Sequence, residues 1–156
     1  MTSFAGALLR GAAAGAAGTT ALNAVTYLDM AVRGRPSSST PEKTVETVAD
    51  AVGVSIPGSD DTRRNRIQGL GPLLGLATGV GIGALAGVLV RARPLPVPLL
   101  ALLVGGGAMA GSNLPMSGLG VTDPRTWSAG SWISDAVPHA AYGAVTAALL
   151  RALVRP

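Results

Sequence analysis

Residues 70–90 read LGPLLGLATGVGIGALAGVLV, a run of about 20 residues without a charge. A helix rises 1.5 Å per residue, so this run matches the roughly 30 Å hydrocarbon core of a bilayer. Within it Gly71, Gly75, Gly79, Gly83 and Gly87 recur at every fourth position, with Gly81 beside them. Residues four apart share a helix face, and five such glycines form a groove about 24 Å long. Lipid tails are as apolar as leucine, so helices in a membrane associate through close backbone contact rather than through burial from water. The ladder predicts such contact over most of the bilayer depth. Its partner is either another helix of this chain or a second chain, giving a homo-oligomer or a subunit of a membrane complex.

The rest of the chain fits the same solvent. Of 156 residues 48% are hydrophobic and only 13% charged, against roughly 25% charged in ordinary soluble domains; the mean hydropathy is +0.44. Too few charges remain to cover a water-soluble globule. The chain has no cysteine and one histidine, which excludes a disulfide scaffold, a thiol redox centre and a multi-histidine metal site. No metal or other cofactor is expected. The net charge of +4 does not indicate nucleic acid, because the basic residues sit beside apolar runs, at Arg33, Arg35, Arg91, Arg93, Arg151 and Arg155, where they anchor helices at lipid headgroups. No basic segment precedes the apolar N-terminal stretch and Arg10 interrupts it, so it reads as the opening of a membrane helix rather than a cleaved signal.

Four segments are long and apolar enough to cross: residues 11–32, 70–90, 97–114 and 132–154. The expected fold is therefore all-α, a four-helix transmembrane bundle in one membrane domain. The polar loop 33–69 between the first two crossings carries one interfacial amphipathic helix. Ser39 and Glu42 have the spacing of a capping box, with Pro41 in the first turn, and Gly53 is placed to end the helix. Val45, Val48 and Val52 line one face, available to pack on the bundle or to dock a partner; Glu42, Glu46 and Asp50 line the other. The segment GSDDTRRNR reads as a mixed-charge loop. The short link after Arg91 makes the second and third crossings an antiparallel pair. Further small faces occur at Gly11 and Gly15, at Gly107 and Gly111, and at Ala136, Ala140, Ala144 and Ala148. Trp127 and Trp132 fit an interfacial belt. Pro138 either kinks the last crossing or marks where its regular part begins.

Polar groups inside a membrane are the first place to look for function. Asn23, Tyr27 and Asp29 lie late in the first crossing, Ser112 and Asn113 end the third, and Asp135, His139 and Tyr142 lie early in the fourth. Alternating directions bring these sets to one side, so Asn23, Asp29, Asn113, Asp135, His139 and Tyr142 can share a pocket. Such a cluster serves either as interhelical hydrogen bonding or as a proton or ion relay. Ser117 and His139 form no protease signature, since Pro115 stands where a G-x-S-G motif needs glycine.

The stretches TTALNAVTYLDMAVRGRPSSSTPE (19–42) and PHAAYGAVTAALLRAL (138–153) resemble small polytopic membrane proteins of actinobacteria. The small-residue first helix and the H-x-x-Y-G of His139, Tyr142 and Gly143 also resemble inner-membrane proteins of the YagU type, a resemblance that implies a link to acid resistance and brings no catalytic residue. The expectation is a non-enzymatic, multi-pass protein of the bacterial plasma membrane, surrounded by lipid, acting as a structural or accessory subunit through its glycine-zipper helix. The alternative is a small channel or proton-linked transporter using Asp29, Asp135 and His139.

Overall fold

The structure, a computed structural model, describes residues 3–154. Within them the chain is helical and contains no strand: α1 (Phe4–Arg33), α2 (Thr40–Ala51), α3 (Asp60–Ala92), α4 (Val97–Gly118) and α5 (Ala129–Val154), with a 3-10 turn at Pro124–Thr126. Two helices, α3 and α4, are long and apolar enough to cross a membrane.

The helices start and stop for local reasons. Ser3 Oγ accepts from Gly6 N at 3.0 Å and caps α1, satisfying one of the donors a helix start leaves open. Gly34, at φ +62°, closes its other end in the left-handed conformation, which glycine adopts without steric cost. Gly53 at φ +69° does the same after α2, with Val54 N donating to Ala49 O. The capping box does not form: Ser39 occupies the N-cap without a side-chain bond, and Ser38 Oγ accepts from Thr40 N instead. Glu42 Oε2 is buried without a partner.

All four long helices are longer at an end than the hydropathy of their sequence indicates. The segment expected as a mixed-charge loop forms the first turns of α3. It contains neither glycine nor proline between residues 60 and 68, and Asp60 and Asp61 stand in the first turn, where carboxylates complement the helix dipole. α1 begins at Phe4 and α4 continues through Pro115 to Gly118. α5 likewise runs through Pro138 as one helix.

α1 packs chiefly on α3 and α5, and α5 on α1 and α4. α3 and α4, though joined by the short link 93–96, touch only sparingly. The expected antiparallel pair is thus not the main contact of either helix. The partner surfaces explain why: α3 offers a groove of glycines that only another small-residue helix can enter closely, and α1 supplies Ala7, Gly11 and Gly15. The core cluster includes Ala14, Ala86, Val90, Leu100, Tyr142 and Leu150. α2 packs on the first part of α3, with Thr44 as its buried residue. Val45 is half-buried, but Val48 and Val52 are exposed, so the valine face is not covered by the rest of the chain.

Candidate functional site

Three of the five ladder glycines meet α1. A Cβ added at Gly83 would lie 2.4 Å from Gly15 Cα, one at Gly87 2.2 Å from Ala7 O, and one at Gly79 would strike Thr19 Oγ1. Gly11 and Gly15 are equally tight against Gly83 O and Gly79 O. Gly71 instead meets Pro41 of the segment opening α2, and Gly75 and Gly81 have open space. The ladder is therefore split among three surroundings by its position along α3. A second backbone contact joins α4 to α5, where a Cβ at Gly143 would lie 2.2 Å from Ala101 O and one at Gly105 2.7 Å from His139 O. The small faces expected at Gly107 and Gly111, and at Ala140, Ala144 and Ala148, point elsewhere. Gly107 has open space, Gly111 meets only Ile82 Cδ1, and these alanines are exposed.

These contacts fix how the helices are aligned. Rising numbers in α1 meet falling numbers in α3, as antiparallel neighbours must. Extended by whole turns, the register sets Gly71 level with about residue 25 of α1, and Ile67 level with Asp29. Asp29 thus stands about a turn beyond the apolar run 70–90, at the height of the arginines that open α3. Its partners agree: Arg33 Nη1 donates to Asp29 Oδ1 at 3.3 Å, Arg35 Nε donates to Oδ2, and Arg33 Nη1 also donates to Ser134 Oγ at 2.8 Å. Asn23 is exposed on α1 and makes no contact with this group.

A second polar group bridges α4 and α5. Asn113 Nδ2 donates to Asp135 Oδ2 at 2.7 Å. His139 Nδ1 lies 2.7 Å from Asp135 O and 3.4 Å from its Oδ1. A carbonyl oxygen can only accept, so Nδ1 is the donor in this contact. Beside it the seam opens into an apolar groove of about 470 Å³ lined by Leu102, Gly105, Met109, His139 and Ala140 among others. Ser117 Oγ is buried without a hydrogen-bond partner, so no serine–histidine pair forms.

Tyr142 belongs to neither group. Its hydroxyl donates to Gly79 O at 2.6 Å in the α1/α3/α5 interior, where Thr19 and Thr146 are also buried. Thr19 Oγ1 returns to Gly15 O at 2.9 Å, and Thr146 Oγ1 reaches Ala14 O at 3.4 Å. The one shared pocket expected from the sequence is therefore three separate groups. The cause is helix rotation: α5 turns Tyr142 and Thr146 to α1 while Asp135 and His139 face the α4 side. Thr19 and Thr146 escaped the sequence reading because a threonine inside an apolar run carries no signal of its own. Among the described residues no three His, Asp or Glu side chains converge as a metal would need.

Comparison with family models, with curated proteins and with solved structures returns no match.

Proposed function

We propose that the chain is a non-enzymatic, multi-pass protein of the bacterial plasma membrane, with α1, α3, α4 and α5 as its four crossings and α2 as an appendage beyond the bilayer. The observation that carries this reading is the pairing of a backbone-tight interior with an apolar exterior. Gly83 and Gly15 approach with no room for a methyl group, while Leu73, Leu76, Leu85, Leu102 and Leu103 lie exposed on the outer surface. In water the exposed leucines are a liability; in lipid they meet the acyl chains while the close backbone contact holds the helices together. The role that follows is that of a structural or accessory subunit. Gly81, on the part of the glycine helix that α1 leaves open, supplies its contact with a partner or a second copy. The test is extraction of native membranes: the protein stays with the membrane through high-salt and alkaline washes and leaves it only with detergent, together with its partner. Recovery of a monodisperse species without detergent overturns the reading.

The Asn113–Asp135–His139 group favours a second reading, a small channel or proton-linked transporter. It requires proton or ion flux in reconstituted vesicles that Asp135→Asn abolishes. Flux that survives this substitution removes it.

A further inference from the structure

All eight acidic residues lie at or beyond one end of the apolar run of α3, the end where α1 finishes, α3 begins and α5 begins. Seven of the twelve basic residues share that end, and five of them are paired there: Arg33 and Arg35 with Asp29, Arg63 with Glu46, Arg64 with Asp61, and Arg125 with Asp123. This end is close to electrically balanced. Among the described residues the opposite end, where α1 and α4 begin and α3 and α5 finish, carries the remaining basic residues and no acidic side chain. They are Arg10, Arg91, Arg93 and Arg151; Arg155 lies outside the described residues. Counting basic residues in the loops alone hides this asymmetry, because it leaves out the acidic residues.

We infer that the all-arginine end binds the phosphates of anionic phospholipids, with Arg10 as its innermost ligand. Arg93 and Arg151 are exposed at this end, whereas Arg10 is half-buried. It sits between Ala7 and Gly11, both of which meet Gly87, and so lies about a turn inside the level of Val90. A guanidinium does not deprotonate in a protein, and in hydrocarbon it bends toward the nearest headgroup. Among the described residues no acidic side chain lies on that end, and in a bilayer the anion within reach of Arg10 is a lipid phosphate, whose oxygens match its planar fork. A zwitterionic headgroup brings its own ammonium and offsets the attraction; an anionic one does not. The inference rests on the membrane reading above and adds the lipid class and the face that selects it.

The test uses the full-length protein in nanodiscs of phosphatidylcholine doped with phosphatidylglycerol, with retained lipid measured by native mass spectrometry. The expected result is selective retention of phosphatidylglycerol, falling about fivefold for each arginine lost in Arg10→Gln, Arg93→Gln and Arg151→Gln. The lysine versions of the same positions keep most of it, which separates charge from folding, and circular dichroism checks the helix content of each variant. Lys43→Gln with Arg66→Gln, at the balanced end, leaves retention unchanged. Equal retention of the two lipids, or selectivity that survives loss of all three arginines, overturns the inference. So does full displacement by millimolar inorganic phosphate, which marks a site for a free anion. A chain that needs no detergent fails at the earlier step, before any lipid is compared.

Discussion

Replacing Gly83 by alanine probes the contact on which the fold depends. The added methyl carbon would lie 2.4 Å from Gly15 Cα and 2.5 Å from Gly11 O, both backbone atoms. That is about 1 Å short of ordinary van der Waals contact, and backbone cannot turn aside as a side-chain end can. α1 and α3 must separate by a comparable distance, and a gap of 0.5–1 Å already forfeits roughly a quarter to a half of each dispersion contact. Overpacking of a filled interior costs about 1–3 kcal/mol. This site belongs at the upper end, about 3 kcal/mol, because the separation spreads to Gly79 and Gly87. Gly75→Ala is the internal control. It lies two turns away on the same ladder, yet its added carbon meets nothing within 4 Å, and alanine favours helix over glycine by up to about 1 kcal/mol. The assay is reversible unfolding of the full chain in mixed micelles titrated with denaturing detergent. Gly83→Ala is expected to shift the midpoint strongly toward less denaturant and Gly75→Ala to leave it unchanged or raise it. Equal effects at the two positions refute the argument that α1 fills the groove.

Four other outcomes follow from the same geometry. Gly143→Ala, whose added carbon would sit 2.2 Å from Ala101 O, is expected to loosen α4 from α5 and destabilise by about 2–3 kcal/mol in the same titration, while Gly107→Ala, in open space, does not. Tyr142→Phe removes the hydroxyl that donates to Gly79 O and is expected to cost about 1 kcal/mol, read as the same midpoint shift. Since the chain lacks cysteine, single cysteines report depth. Leu28→Cys is expected to react with a membrane-impermeant maleimide and Leu9→Cys to be protected, the reverse of what a first crossing at 11–32 implies. Finally, Arg125 donates through both its side chain and its backbone N–H to Asp123 and holds that carboxyl below the usual carboxylate range. A folded value below the unfolded one means the pair contributes at neutral pH and is lost as pH falls through the folded value. The Asp123 carboxyl resonance is expected to titrate at lower pH than a free aspartate, and Arg125→Gln to raise its midpoint.

The helical class and the place of each long helix were legible because apolar runs of membrane length have few other readings. Gly53 ended α2 as its position implies, and of the glycine ladder Gly79, Gly83 and Gly87 lie against α1. Hydropathy misjudged where helices end, because it registers lipid and not helix. DDTRRNR is helical through its dipole and its lack of breakers, although nothing in it is apolar. Rotation was out of reach for a related reason. Ala140, Ala144 and Ala148 and the pair Gly105 with Gly143 look alike as small residues at helical spacing, and only the position of α4 decides which are covered. The depth of Asp29 depended on sliding α1 against α3, a quantity that neither helix encodes alone.

The arrangement also dictates an order of assembly. α1 leaves the ribosome first, yet both of its walls, the groove of α3 and the Tyr142 face of α5, are made later. Until then its glycine ridge has nothing to grip, and α5, made after α3 and α4, completes the enclosure around α1. Removing the C-terminal helix would strip α1 as well as α4 of a neighbour, so premature chain termination and a chain still emerging present the cell with the same half-built object.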